Sequence, residues 1–191
     1  MRITGGTARG KVLLTPRGQT TRPTDARTRE TLFNILAEEI VGARFLDLYS
    51  GSGAIGLEAL SRGAASCNFV EQNKSAATLI RKNLEQCNWS KQGVVWPCAV
   101  QVALRKLMQQ NQRFNIIFAD PPFDKQKEWD DFAAGIDKAV LLLHNSTVVL
   151  PESGLLIVQH SFRLSLDFSA VLETVQERRA GESMLSFFQK K

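Results

Sequence analysis

Two short stretches of the sequence carry residue types that could do chemistry. The first runs from Asp47 to Gly56 and reads Asp-Leu-Tyr-Ser-Gly-Ser-Gly-Ala-Ile-Gly. A G-x-G-x-x-G pattern between a strand and a helix can bind the pyrophosphate of a dinucleotide at the helix N-terminus. Asp47 would put a carboxylate beside that pyrophosphate, whereas the same charge attracts the ammonium and sulfonium of S-adenosylmethionine (AdoMet). The stretch therefore favours AdoMet over NAD, and a purely structural turn is the alternative.

A second acidic residue, Glu71, follows Gly51 by 20 residues and ends the next predicted strand. Its two oxygens can accept hydrogen bonds from both hydroxyls of a ribose, a feature that suits AdoMet and NAD alike. A solvated acid at a strand end is the alternative. The predicted cofactor pocket comprises Asp47, Ser50, Gly51, Gly53, Glu71 and Ala99. The three cysteines lack metal-ligand spacing, so we expect no metal site.

The second stretch, Asp120-Pro121-Pro122-Phe123, ends the fourth predicted strand. The exocyclic amine of a nucleobase is a poor nucleophile because its lone pair is delocalised into the ring. The Asp120 carboxylate and the Pro121 carbonyl can accept its two hydrogens and direct the lone pair at a methyl group, and the prolines fix the backbone. Phe123 offers a face on which a flipped-out base can stack. We therefore predict Asp120, Pro121 and Phe123 as catalytic residues, with a rigid turn over a packed aromatic as the alternative.

Alternating strands and helices are expected to position these motifs. Short apolar runs predict seven strands, at 44–49, 66–71, 94–97, 115–119, 154–159, 172–178 and 184–189. Helical spacing predicts helices at about 24–40, 54–62, 74–87, 100–110 and 129–143. No helix separates the last two strands, which indicates an antiparallel hairpin on an otherwise parallel, helix-flanked sheet. The first and fourth strands are neighbours where the strand order reverses, so both motifs open into one crevice.

The composition excludes several classes of protein. Hydrophobic residues make up 43% and charged residues 23% of the 191 residues, so wholesale disorder is excluded. The apolar runs are too short to cross a bilayer, and the N-terminus lacks the apolar segment of a secretory signal. An odd number of cysteines without a pairing pattern indicates a reduced, cytoplasmic chain with these cysteines buried in its core.

The net charge of +5 comes from the N-terminal segment. Residues 1–34 hold seven basic side chains against two acidic ones, and the rest of the chain carries equal numbers of both. Two short runs within 2–15 predict a small hairpin. A basic arm on a neutral domain indicates a polyanion partner, most simply nucleic acid, with a solvated tail as the alternative. The candidate phosphate contacts are Arg9, Lys11, Arg17 and Arg22.

The two motifs together resemble the class I AdoMet-dependent methyltransferases that modify nucleobase amines through an Asp/Asn-Pro-Pro-aromatic signature. The whole chain is similar to the RsmD family, bacterial 16S ribosomal RNA guanine-N2 methyltransferases. Further stretches carry this resemblance, namely Arg2-Ile3…Gly6…Arg9-Gly10, Thr21-Arg22-Pro23-Thr24…Leu36, Glu58…Ala64, Phe69-Val70-Glu71 and Gly181-Glu182-Ser183…Leu185.

The resemblance implies a Rossmann-like α/β fold and methyl transfer from AdoMet to the N2 of one guanine in 16S rRNA. It also implies a substrate within a 30S subunit or an assembly intermediate with ribosomal proteins. We accordingly divide the chain into a basic RNA-contacting extension, 1–23, and an AdoMet-dependent methyltransferase domain, 24–191. We expect a monomer in the cytoplasm, with no membrane partner.

Three features depart from that family's pattern. Phe123 stands where tyrosine is usual, Gln159 stands where glutamate is common, and the stretch Pro97-Cys98-Ala99 lacks the acid that usually meets adenine. Two alternatives stay open. One is a DNA adenine-N6 or cytosine-N4 methyltransferase, since the second motif suits any exocyclic amine. The other is a non-catalytic RNA-binding ribosome-assembly factor.

Overall fold

Short apolar strands and amphipathic helices alternate along the chain, as the sequence pattern predicts. The computed structural model describes residues 1–15, 26–121, 153–164, 166, 168–170 and 172–191. Within these residues the strands are β1 (Arg44–Leu48), β2 (Ser66–Val70), β3 (Gly93–Trp96), β4 (Ile116–Ala119), β5 (Leu155–Ser161), β6 (Leu172–Ala180) and β7 (Ser183–Lys190). The helices are α1 (Ala26–Leu36), α2 (Ala54–Ser61), α3 (Lys74–Gln86) and α4 (Val100–Gln109).

All seven strands form one sheet in the order β3-β2-β1-β4-β5-β7-β6. The five strands from β3 to β5 are parallel, whereas β7 pairs antiparallel with both β5 and β6. The strand order reverses between β1 and β4, as predicted, and ligands of such sheets bind outside the carboxyl ends of the strands at this point. The carboxyl edge beside β1 and β4 is therefore the place to look for a site.

Helices cover both faces of the central strands, which explains why these strands are apolar almost throughout. One core cluster joins α1, α2 and α3 to side chains such as Phe45, Phe69 and Phe118. The other cluster joins α4 to the opposite side chains of the same strands, such as Leu46 and Ile117. Within the described ranges, no helix has the length and apolar character needed to cross a bilayer.

Residues 1–15, the described part of the N-terminal extension, pack against α2 and α3. Arg2 and Val12 form an antiparallel bridge, and Ile3 and Leu13 are buried in the core cluster under α1 and α2. The carboxylate of Glu58, a fully buried residue of α2, accepts hydrogen bonds from the Thr4 N–H, the Thr4 hydroxyl, the Gly5 N–H and the Arg62 guanidinium. These contacts fix the extension at the end of α2 that lies away from the glycine-rich turn.

The predicted elements that fall on described residues agree with the structure to within one to three residues, with one exception. The prediction that α1 runs to Ile40 is wrong, because the helix ends at Leu36 and residues 37–42 form tight turns. Ile40 is nevertheless buried, so these turns satisfy the same apolar spacing that suggested a helix. Cys67 and Cys87 are buried as predicted, but Cys98 is partly exposed beside the N-terminus of α4. The predicted helix at 129–143 lies outside the described residues.

Candidate active site

A tight turn of left-handed residues follows β1. Tyr49 has a φ of 61°, which is rare for an aromatic residue, and Gly51 and Gly53 have φ of 53° and 77°. The Ser50 N–H donates to the Val70 carbonyl of β2, and its hydroxyl donates to the Asp47 carbonyl at 2.7 Å. The turn is thus hydrogen-bonded to both β1 and β2. It leads directly into α2, whose first backbone amides have no side-chain cap.

Asp47 lies beneath this turn and is 2% exposed. Its Oδ2 accepts the Gly56 N–H of α2 at 3.0 Å. Gly56 in turn has no room for a side chain, since a Cβ there would lie 2.3 Å from the Phe69 ring and 2.6 Å from the Cys67 sulfur. The glycine therefore lets α2 approach β2 closely enough for its amide to reach the carboxylate.

Burial raises the pKa of Asp47 from 3.8 to about 8. The Gly56 hydrogen bond opposes this shift, and the nearby charges of Asp120 and Glu71 add to it. From the sequence alone, Asp47 is expected to be an ionised carboxylate. In the protein without a ligand the folded environment instead keeps it mostly protonated at pH 7, and a cation placed beside it would favour its ionisation.

Glu71 follows β2 and points back toward the turn. Its Oε2 accepts the Gly51 N–H at 2.8 Å, and its Oε1 accepts the Asn73 N–H at 2.7 Å. Asn73 then caps α3 through the Ser75 and Ala76 amides. Both carboxylate oxygens of Glu71 are therefore oriented by backbone donors while the side chain stays partly exposed, with lone pairs left to accept further hydrogen bonds.

Asp120 and Pro121 follow β4 directly. Because Asp47 pairs with Phe118 and Leu48 pairs with Ala119, Asp120 lies just beyond the end of β1, close enough to raise the pKa of Asp47. Asp120 is partly exposed, whereas Pro121 is buried. Phe123 lies outside the described residues.

Three carboxylates, those of Asp47, Glu71 and Asp120, thus converge at the carboxyl edge of β1, β2 and β4. Among the residues that the structure describes, no group of His, Cys, Asp and Glu side chains is arranged to hold a metal ion. Carboxylates gathered at one edge favour the binding of a positively charged group there. A Cβ at Gly51 would meet no atom within 4 Å, so the turn is open on the side where a ligand would lie.

These features fit AdoMet, which carries two cationic groups. Its carboxylate can accept hydrogen bonds from the uncapped N-terminus of α2, and its ribose hydroxyls can donate to Glu71. Ala99, the sixth residue of the predicted pocket, immediately precedes α4 and is partly buried beside the end of β3. No side-chain cap satisfies the first amides of α4 either. Those backbone amides are the polar groups that this position can offer in place of an acid.

The four candidate phosphate contacts are not alike. Arg9 is exposed at the tip of the extension, whereas the Lys11 ammonium donates to the Gln86 carbonyl at the C-terminus of α3, where it stabilises the helix dipole. Both residues lie near the amino ends of the strands, because α2 and α3 run back from the carboxyl edge. Arg17 and Arg22 lie outside the described residues.

Gln159 is a buried residue of the same region to which the sequence analysis assigns no role. It follows Val158, the register partner of Ala119, so it lies across from Asp120. Gln159 is 6% exposed, and its Oε1 accepts no hydrogen bond from the described part of the chain. The signal in the sequence was a glutamine directly after the apolar run Leu-Leu-Ile-Val. The positive φ of Tyr49 is a second feature of the site that sequence reasoning missed, and no sequence pattern indicated it.

Comparison with known proteins places this site in a family. A family model described as conserved hypothetical protein 95 matches residues 1–189. YlbH of Bacillus subtilis (strain 168), named provisionally as an rRNA methyltransferase, is 33% identical over 166 residues, which cover 87% of this chain and 85% of YlbH. Ribosomal RNA small subunit methyltransferase D of Escherichia coli (strain K12) is 44% identical over 123 residues, which cover 64% of this chain and 60% of the relative.

A solved structure extends the similarity to the whole chain. The Escherichia coli protein yhhF, titled provisionally as a methyltransferase, superposes with a TM-score of 0.81 at 33% identity. The superposition covers all of this chain and 98% of that protein.

Proposed function

We propose a target for this chain on the premise that it belongs to the RsmD family of AdoMet-dependent rRNA methyltransferases, the family described as conserved hypothetical protein 95. The target is the exocyclic N2 amine of a guanine in 16S small-subunit rRNA. The observation that supports it best is the convergence of Asp47, Glu71 and Asp120 at the carboxyl edge beside β1. This arrangement brings a cationic methyl donor and an amine acceptor into one cleft.

Six residues are proposed to hold the methyl donor, namely Asp47, Ser50, Gly51, Gly53, Glu71 and Ala99. AdoMet supplies a methyl group that its sulfonium makes electrophilic. The roles of the protein groups follow from their positions: Glu71 accepts the ribose hydroxyls, Ser50 maintains the turn, and Asp47 provides a negative charge under it. The positive φ of Gly51 and Gly53 shapes the turn, and the missing side chain of Gly51 leaves its backbone open to the ligand.

Asp120 and the Pro121 carbonyl are proposed to hold the two amine hydrogens and so direct the lone pair of N2. Phe123 is proposed as the stacking platform for the base. A direct transfer agrees with the nucleophiles near the site, because burial raises the pKa of Cys67 well above its usual range and keeps this residue a thiol. His160 is also buried, and its ring nitrogens contact Ser161 and Ser186. Neither residue is available to form a covalent intermediate.

The rRNA is proposed to contact the basic extension, residues 1–23, through Arg9, Lys11, Arg17 and Arg22, while residues 24–191 carry the chemistry. We propose that a monomer acts in the cytoplasm on a 30S particle or an assembly intermediate. Arg9 and Lys11 lie toward the amino edge of the sheet, so RNA that reaches them and Asp120 together must extend along α2 and α3.

The decisive experiment compares methyl transfer from labelled AdoMet to 30S particles, naked 16S rRNA and DNA, followed by mapping of the modified base. Label at guanine N2 of the rRNA is the expected result, and Asp120→Ala should slow its appearance by about 10²-fold or more. Transfer to DNA alone would overturn the proposal in favour of a DNA amine methyltransferase. AdoMet binding without transfer to any substrate would favour a non-catalytic assembly factor.

A further inference from the structure

A second basic region lies in the fold, away from the N-terminal extension. A cleft of about 460 Å³ separates α1 from the turn between β6 and β7. Its lining consists of Arg27, Thr31, Arg178, Arg179, Ala180 and Gly181. We call this the arginine cleft. Three of its six lining residues carry a guanidinium group, and all three are exposed.

The charges of the arginine cleft are not neutralised within the described part of the fold. None of its three guanidinium groups forms an ion pair with a described carboxylate. Glu177, an acid of the same hairpin, instead accepts a hydrogen bond from the Ser186 hydroxyl. The three guanidinium groups are therefore not committed to ion pairs among the described residues and can bind an anion from solution.

Part of the arginine cleft is already ordered in the absence of a ligand. The Arg179 guanidinium lies 4.0 Å from the centroid of the Phe162 ring, and its Nε donates to the Gly181 carbonyl at 3.0 Å. Arg163 lies over the same ring at 5.4 Å. Stacking on an aromatic ring fixes the plane of a guanidinium while leaving its outer N–H groups free to bind a planar anion such as phosphate. Less conformational entropy is then lost on binding.

The arginine cleft opens at the same edge of the sheet as Asp120. Ser161, at the carboxyl end of β5, pairs with Ser183, and Ser183 pairs with Ala180 at the end of β6. Three strand spacings separate β4 from β6, which amounts to about 14 Å. A few nucleotides of single-stranded RNA can cover this distance, whereas Arg9 and Lys11 lie toward the opposite edge.

We propose that the arginine cleft binds phosphates of the rRNA strand adjacent to the target nucleotide. This inference rests on the proposed function and adds a substrate-binding surface to it. Guanidinium groups suit phosphate because their paired N–H donors can form two parallel hydrogen bonds to it. The position at the catalytic edge favours the substrate itself over an unrelated anion. The cleft holds the strand while Asp120 engages the base.

The test uses the double substitution Arg27→Gln with Arg178→Gln, since neither side chain has a described hydrogen bond or ion pair that the fold would lose. A matched control, Arg105→Gln with Arg113→Gln, removes the same charge from exposed arginines in and just after α4. Binding of the full-length protein to 16S rRNA and to 30S particles is measured at several salt concentrations. AdoMet affinity and the melting temperature of each variant are measured alongside.

The cleft variant should bind rRNA more weakly, on the order of 20-fold at 0.1 M salt, with a log–log salt slope lower by about 1.4 for two lost phosphate contacts. Its AdoMet affinity and melting temperature should match those of the parent protein. Unchanged rRNA affinity and slope would overturn the inference, as would an equal loss in the control. Weakened binding to 30S particles with unchanged binding to naked rRNA would also overturn it, in favour of an acidic protein partner.

This design separates failure of the inference from failure of the proposed function. Binding to 16S rRNA is measured without turnover, so the cleft is tested whatever base the enzyme methylates. If methyl transfer maps to DNA while the cleft variant still loses rRNA affinity, the proposed target is wrong and the cleft stands. If guanine N2 is methylated by a variant that binds rRNA normally, the target stands and the cleft is wrong.

Discussion

AdoMet binding should release a proton from Asp47. In the free protein this residue is buried, has two acidic neighbours, and has a pKa of about 8. A cofactor that brings an ammonium and a sulfonium into the cleft supplies the compensating charge that the folded protein lacks. The pKa of Asp47 should therefore fall well below neutrality on binding. Ionisation of this one side chain is thus part of the binding reaction.

The size of the effect follows from that pKa. At pH 7 a carboxyl with a pKa of about 8 is about 90% protonated, so close to one proton should be released per AdoMet bound. The contribution of Asp47 should raise AdoMet affinity about ninefold between pH 6 and 7 and about fivefold between pH 7 and 8. The gain should level off at higher pH, where the carboxylate is already ionised.

Titration calorimetry in buffers of different ionisation enthalpy measures the released proton directly. The amino group of AdoMet titrates in the same pH range, so the comparison is between the parent protein and Asp47→Asn, in which that amino group is unchanged. The variant should lose the pH dependence assigned to Asp47 and bind more weakly at pH 8. Equal proton release by the two proteins would refute the reasoning.

The same pKa shift has a consequence for stability. Because the folded pKa of Asp47 lies above the unfolded value of 3.8, its stabilising contribution is complete below pH 4 and is lost as the pH rises toward 8. The unfolding free energy of the ligand-free protein, relative to that of Asp47→Asn, should therefore decrease across this window. Chemical denaturation at pH 5 and pH 8 provides the measurement, and a difference that does not change with pH would contradict the assignment.

Three further substitutions test the site. Asp120→Ala should leave AdoMet affinity within about threefold but slow single-turnover methylation by about 10²-fold or more. Asp120→Asn should slow methylation less, because its carbonyl still accepts a hydrogen bond. Parent-like turnover by the alanine variant would mean that the amine is held elsewhere. Gly56→Ala should lower the unfolding free energy by about 1–3 kcal/mol or more, because the new methyl group would lie 2.3 Å from the Phe69 ring. Urea denaturation measures this change, and an unchanged unfolding free energy would contradict the close approach of α2 to β2. Gln159→Met removes a buried acceptor that has no described partner, so the unfolding free energy should be unchanged or higher if that oxygen makes no hydrogen bond in the free protein. A loss of turnover at unchanged AdoMet affinity would identify the Gln159 side chain as a contact to the base.

The acidic residues of the site were predictable because they end strands. Asp47, Glu71 and Asp120 each follow an apolar run, and parallel strands with helical crossovers bring their carboxyl ends to one edge. The C-terminal hairpin was predictable for a related reason, since the five residues 179–183 between the two predicted strands cannot accommodate a crossover helix. These conclusions need only the order and length of local elements.

Other properties depend on packing between distant segments. The protonation of Asp47 follows from its depth under α2, which no spacing reveals. Lys11 reads as a phosphate contact, yet its ammonium caps α3 because the extension folds onto that helix. The arginine cleft joins Arg27 to Arg178, about 150 residues apart, so it exists only once α1 and β6 are in place. Sequence patterns indicate local secondary structure and do not show contacts between residues that lie far apart in the chain.

The carboxylate of Glu58 also bears on the order in which the protein folds. Arg62 lies one helical turn away, so this ion pair can form as soon as α2 does, whereas Thr4 and Gly5 are separated from Glu58 by 53–54 residues. Closing a loop of that length costs entropy that only the completed contacts offset. During synthesis the first residues must therefore wait until α2 has emerged, leaving Ile3 and Leu13 exposed for that interval. The N-terminal segment therefore acquires these contacts only after the helix on which it packs.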